Sequence, residues 1–176
     1  MKANIYWFSG TGGSWLNAAR LAADLKQGGW EVNLIPLEGL ERPRVRLAAS
    51  RAWFSAGTET DPFNSQDPLG MDIFCFPVYA SSEPAFVDRF AKRLSVSLGR
   101  NGGPGRRAAV VAAVGPCVFE GRALARMTQL LEESGRKVEV AAAIEMPLAF
   151  IEVAPATDPG EAVARCEAAE ARIDEI

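Results

Sequence analysis

The stretch IYWFSGTGGSW, residues 5–15, joins an apolar run to a turn of small and hydroxylated residues. Ile5, Tyr6 and Trp7 have the bulk of a buried strand, and residues 4–8 read as one. Trp15, Ala18, Ala22 and Leu25 then recur at helical spacing until Gly28 and Gly29 stop the helix. Between strand and helix lie Ser9, Gly10, Thr11, Gly12, Gly13 and Ser14. The first N–H groups of a helix are unpaired and carry the positive end of its dipole, so they suit an anion. Glycines let that backbone come close to a ligand, and Ser9, Thr11 and Ser14 add hydroxyl donors. Spacing alone leaves two readings open: a tight strand-to-helix turn, or a cradle for an anion that needs no lysine. The pattern is neither GxxxxGK[ST] nor GxGxxG, so a nucleoside-triphosphate P-loop and a dinucleotide fingerprint are both set aside.

Strand and helix keep alternating beyond this stretch. Val32 to Ile35, closed by Pro36, forms a second short apolar run, and residues 73–76, ended by Pro77, form a third. Pro84 suits a first helical position, ahead of Val87, Phe90, Ala91, Leu94 and Leu98 on one face. Residues 108–114 make a fourth strand, broken by Gly115 and Pro116. A helix marked by Ala123, Met127, Leu130 and Leu131 follows, then a fifth strand over 138–144. Asp158-Pro159-Gly160-Glu161 carries the cap, first-turn proline and third-position glutamate of a helix start; Ala162, Cys166, Ala169 and Ile173 form its buried stripe. Residues 37–70 are the least legible, with a helix over 44–54 and a turn-rich loop over 57–70. Apolar strands joined through helices predict an α/β fold, one doubly wound domain over 1–176 whose parallel sheet is covered on both faces. Ligands of such sheets lie beyond the carboxyl ends of the strands, where strand order reverses. Residues 9–14, 77–83 and 115–119 meet there.

Composition narrows the function. The chain has 176 residues, 48% of them hydrophobic, which is enough for one sizeable core. A net charge of -3 gives no basic patch for nucleic acid. No apolar run approaches a membrane span and no signal pattern opens the chain, so a cytoplasmic protein is expected, with no membrane partner. Cys75, Cys117 and Cys166 are odd in number and scattered, unlike a disulfide framework or a cysteine metal site. The absence of histidine removes Ser-His and Cys-His catalysis. Chemistry here falls to a cofactor.

The first loop resembles the phosphate loop of flavodoxins, a hydroxyl-x-Thr-Gly-x-hydroxyl pattern matched by Ser9, Thr11, Gly12 and Ser14. FPVYASSEPAFVDRF (76–90) and AVVAAVGPCVFEGRAL (109–124) resemble the two later loops of flavodoxin-like proteins often fused to a ferredoxin domain. The resemblance spans most of residues 4–151. It implies a flavodoxin-like, five-stranded doubly wound parallel sheet that binds FMN and moves electrons. On that likeness, Ser9, Gly10, Thr11, Gly12, Gly13 and Ser14 hold the FMN phosphate. Pro77, Val78, Tyr79, Ala80 and Ser81 line the isoalloxazine, with Tyr79 stacked on it. Gly115, Pro116, Cys117 and Phe119 offer backbone contacts to the ring's polar edge. Gly13 stands where an asparagine is usual, and Ser81-Ser82-Glu83 lacks the usual aromatic or glycine. The implied partners are redox proteins, an iron–sulfur protein on another chain among them, or a small electron acceptor. Two other functions share the fold: an FMN-dependent NAD(P)H oxidoreductase of quinone-reductase type, and a flavin-free binding module. A receiver domain is excluded because Ser9 stands where it needs acidic residues.

Overall fold

In the computed structural model, described over residues 1–38, 69–79, 82–98, 106–115, 121–147 and 158–175 (without the side chains of 94–98), strands and helices alternate. The strands are β1 (Lys2–Trp7), β2 (Glu31–Pro36), β3 (Met71–Pro77), β4 (Arg107–Val114) and β5 (Lys137–Glu145). The helices are α1 (Gly13–Gln27), α2 (Ala85–Leu98), α3 (Ala123–Glu133) and α4 (Pro159–Asp174). All strand pairs are parallel, in the order β2-β1-β3-β4-β5. The expected flavodoxin-like architecture is therefore present. The direction of winding reverses between β1 and β3, which places a crevice at their carboxyl ends.

Period-2 alternation divides the core into two layers. Tyr6, Phe74, Phe76 and Val110 face α2 and α3, where Val87, Phe90, Met127 and Leu131 meet them. Tyr6 packs against Phe74 and Phe90 at ring-centroid distances of 5.1 and 5.2 Å. Each such buried aromatic contributes about 2–3 kcal/mol relative to an exposed one. On the opposite face, Ile5, Ile73, Cys75, Val111 and Ile144 meet Ala18, Ala22, Ala169 and Ile173 of α1 and α4. Small alanines bring those two helices close to the sheet. β5 lies at an edge, where the exposed Lys137, Glu139 and Glu145 discourage pairing with another chain.

A polar chain crosses the whole sheet at the amino ends of its strands. Asn33 Nδ2 donates to Asn4 Oδ1 at 3.0 Å, and Asn4 Nδ2 donates to Asp72 Oδ1 at 3.4 Å. Asp72 also accepts from Arg106 Nη2 at 2.9 Å and from Arg136 Nε at 3.0 Å. Asp72 is 1% exposed, and Arg106 and Arg136 are each 6% exposed. Gly70 is required beside this cluster, since a Cβ there would stand 2.9 Å from Arg106 Nη1. The dibasic pairs that open β4 and β5 are split by pleat. Arg106 and Arg136 turn in to Asp72, while Arg107 and Lys137 reach Glu139 at 3.9 and 3.3 Å.

Four expectations shift. Pro84 precedes the helix: its carbonyl accepts from Val87 and Asp88 N–H, and α2 begins at Ala85. Trp15 is 43% exposed against Trp7, so the inward stripe of α1 is Ser14, Asn17, Ala18 and Ala22. Cys166 and Ala162 are half-buried, because α4 turns them to the margin of its contact with the sheet. β1 spans Lys2–Trp7, with Phe8 just beyond it. The expected helix over 44–54 lies outside the described residues. So do Ala80, Ser81, Pro116, Cys117 and Phe119, and all but the last two positions of the 57–70 loop.

Candidate functional site

The crevice is built where β1 gives way to α1. Phe8 N–H still donates to Cys75 carbonyl at 3.0 Å, and the Phe8 ring packs edge-on against Phe86 at 4.3 Å. The chain then turns on Ser9, whose Oγ accepts the Gly12 N–H at 2.9 Å. Gly12 adopts φ 101°, a left-handed conformation that costs a side-chain-bearing residue about 1–2 kcal/mol. Its carbonyl accepts the first helical bond, from Leu16 at 2.9 Å. No side chain caps α1 and no acidic residue lies in its first turn. By contrast, Asp158 caps α4, accepting from Gly160 N–H at 2.9 Å, with Pro159 and Glu161 following as expected. The mouth of α1 is thus electropositive and bare, with the N–H groups of Gly13, Ser14 and Trp15 lacking an acceptor among the described residues.

Beneath that mouth lie polar atoms with no hydrogen-bond partner: Ser14 Oγ, both amide atoms of Asn17, and Trp7 Nε1. Ser14 and Asn17 are each 1% exposed and share the inward face of α1. A buried, unpaired polar group costs about 1–3 kcal/mol, a cost usually offset by a ligand or water. Met146, just past β5, packs beside the loop, and a Cβ on Gly13 would come within 3.3 Å of its Cγ. A side chain at position 13 would therefore have to displace Met146 slightly.

The second wall comes from the end of β3. Val78 N–H donates to Ala113 carbonyl at 3.0 Å, and Tyr79 and Ser82 exchange backbone bonds of 2.8 and 3.0 Å. Tyr79 is half-buried, and its phenol oxygen accepts the Gly10 N–H. Burial pushes the phenol pKa up, and the Gly10 N–H partly offsets that rise. Glu83 accepts from Ser82 Oγ at 3.3 Å, just ahead of α2. Gly115 follows β4 and is half-buried at the same end of the sheet. Of the residues expected at the site, Ser9 to Ser14, Pro77 to Tyr79, and Gly115 therefore gather at adjacent strand ends. Cys75 is buried, with its thiol pushed up to about 12, and is inert there.

Asn17 and Met146 join the site without a forecast from the sequence. Asn17 was detectable as an amide interrupting the alanine stripe of α1. Met146 was not, because only tertiary packing brings it to Gly13.

No family model and no curated protein sequence matches the chain. Solved structures do. A flavodoxin from the Archaea is 11% identical, covers 99% of this chain and 98% of its own, and superposes with a TM-score of 0.57. Megasphaera elsdenii flavodoxin is 21% identical, covers 96% of this chain and 98% of its own, with a TM-score of 0.55. A Klebsiella pneumoniae protein named as a candidate quinone reductase is 19% identical, covers 99% of this chain and 84% of its own, with a TM-score of 0.52. With its parallel sheet ordered β2-β1-β3-β4-β5 and these likenesses over nearly its whole length, the chain has the flavodoxin-like fold.

Proposed function

We propose that this chain binds FMN without a covalent link and carries electrons between redox partners. The observation that carries the reading is the bare mouth of α1 above a buried, unpartnered Ser14 hydroxyl. The residues present suit a phosphate ester. Ser9, Thr11 and Ser14 offer hydroxyls, the backbone of Gly13, Ser14 and Trp15 offers N–H donors, and no carboxylate opposes a dianion in the first helical turn. Pro77 and Tyr79 give the β3 side a largely apolar wall suited to a planar ring, with Val78 packed in the core beneath it, and Ala80 and Ser81 continue it in sequence. Gly115, with Pro116, Cys117 and Phe119 after it, would supply backbone groups to the ring's polar edge. Bound flavin would supply one- or two-electron transfer, and the protein's part is to hold, orient and partly desolvate it.

In this reading the partners are redox proteins, an iron–sulfur protein among them, or a small electron acceptor. Both Megasphaera elsdenii flavodoxin and the archaeal flavodoxin share the fold over almost the full length. No helix among the described residues is long and apolar enough to cross a membrane. Cys75 and Cys166 are unbridged, which suits a reducing compartment such as the cytoplasm. The likeness to the Klebsiella protein keeps an NAD(P)H-dependent quinone reductase as the second reading.

Titration of the protein into FMN, followed by flavin fluorescence, is the direct test. Quenching at micromolar protein, stronger for FMN than for riboflavin, is expected. Unquenched FMN overturns the cofactor assignment, and brisk steady-state NAD(P)H oxidation by the loaded protein replaces the carrier with the reductase.

A further inference from the structure

Tyr79 joins two loops that lie far apart in the sequence. Its backbone is clamped, by the exchange with Ser82 at 2.8 and 3.0 Å and by the Val78 bond to Ala113 just before it. From this clamp the side chain runs back across the switch point to the glycine loop. There its phenol oxygen accepts the Gly10 N–H. The approach is close: a Cβ on Gly10 would stand 2.5 Å from that oxygen and 3.8 Å from the ring carbon bearing it. Glycine at position 10 is therefore needed for the phenol to lie where it does, independently of any ligand. A second loop donor, the Gly12 N–H, is taken by Ser9 within the loop itself. Gly10 differs because its acceptor belongs to another segment, one that forms the wall beside the crevice.

We infer that Tyr79 is a specificity-determining residue whose phenol oxygen occupies the Gly10 N–H in place of an anion's oxygen, to be exchanged for it when a phosphate ester enters. The inference rests on the proposed FMN reading. A ligand with a phosphate competes with the phenol for Gly10, whereas one lacking it does not. Because the Tyr79 backbone is pinned on both sides, the exchange is confined to side-chain torsions. The phenyl ring is then released towards the wall at 77–79 only when the anion site is filled. Occupancy of the phosphate loop and the position of the aromatic wall are thereby one event.

The test is calorimetric titration of wild type and Tyr79→Phe with FMN, riboflavin and inorganic phosphate, beside the amide spectrum of Gly10 in the free proteins. Phenylalanine keeps the ring and removes only the competing oxygen. FMN and inorganic phosphate should bind about three- to tenfold more tightly to the variant, the worth of one neutral hydrogen bond, with riboflavin gaining less because it has no phosphate to take the freed Gly10 N–H. The Gly10 amide proton should move upfield on losing its acceptor. An FMN-to-riboflavin ratio that stays constant or falls in the variant, or a Gly10 resonance that does not move, overturns the inference and leaves FMN binding intact. Wild-type protein that takes up neither flavin removes the FMN reading and this inference with it.

Discussion

Replacing Asp72 by asparagine should unfold this protein more readily than any change at the crevice, while leaving the folded site unaltered. Asp72 accepts from both Arg106 and Arg136, through bonds of 2.9 and 3.0 Å. All three residues are at least nine-tenths buried. The amide keeps the shape but removes the charge, and its NH2 group faces a guanidinium that can only donate. Charge-assisted hydrogen bonds are worth about 1.5–3 kcal/mol each. Removing one partner of a buried ion pair costs about 3–5 kcal/mol, because the other charge is stranded. A loss of about 4 kcal/mol is therefore expected. For a chain of this size each kcal/mol lowers Tm by about 2–4 °C, giving a fall of roughly 8–16 °C. That is a large share of a stability of about 5–15 kcal/mol.

Thermal and urea unfolding followed by circular dichroism measure it, with the affinity of the folded protein for FMN as the internal control. That affinity should not change, since the network lies at the amino ends of the strands and the crevice at the carboxyl ends. The triple variant Asp72→Leu, Arg106→Met, Arg136→Met should be more stable than Asp72→Asn because it strands no charge, falling short of wild type by about 1–3 kcal/mol at most for the acceptor that Asn4 Nδ2 loses. An Asp72→Asn loss below about 1 kcal/mol would refute the reasoning, because it would mean the guanidiniums are solvated and the carboxylate contributes little.

Ser14→Ala should leave the free protein equally stable or stabilise it by up to about 1 kcal/mol, since it deletes an unpaired buried hydroxyl. The same variant should bind FMN about five- to tenfold more weakly with riboflavin unaffected, and equal losses for both ligands in fluorescence titrations would count against phosphate contact. At Gly12, where φ is 101° and an added Cβ would meet nothing within 4 Å, only backbone strain operates. Melting temperatures should therefore follow Gly, Asn, Ala, Val in descending order, with Val about 1–2 kcal/mol below wild type. The Cys75 thiol, pushed up to about 12 by burial, stays protonated in the folded chain, whereas in the unfolded chain it ionises near pH 8.5. Its contribution is complete below about pH 8.5 and is lost progressively as pH climbs towards 12, with the buried Tyr6 phenol adding to the loss above about pH 10. Urea midpoints at pH 7, 9 and 10.5 should fall more steeply for wild type than for Cys75→Val, and parallel slopes would contradict this.

The segments that sequence reading placed well are those whose signal is local. Ile5 to Trp7 before a glycine turn, Asp158-Pro159 before α4, and Val110 and Val111 within a continuous apolar run each carry their structure in a few consecutive residues. The glycine loop ahead of α1 is legible for the same reason: its glycines and hydroxyls stand side by side. Trp15 misled because periodicity marks a stripe but cannot tell its centre from its edge. Its indole lies on Trp7 while Asn17, a polar residue, takes the inward position. Asp72, Arg106 and Arg136 look like surface charges in sequence, and only strand order β3-β4-β5 stacks them into one buried cluster.

By itself, then, the amino-acid sequence determined which segments become strands and helices, that the strands are parallel, and where the glycine turn opens the first helix. These depend on side-chain pattern, turn chemistry and chain direction, all expressed within a dozen residues. Tertiary structure alone decided that Met146 lies against Gly13, that Ser14 and Asn17 are buried without partners, and that the Tyr79 phenol reaches Gly10. Contacts between residues tens of positions apart depend on how strands are ordered and how closely helices settle on them, a global balance of packing that no local stretch encodes.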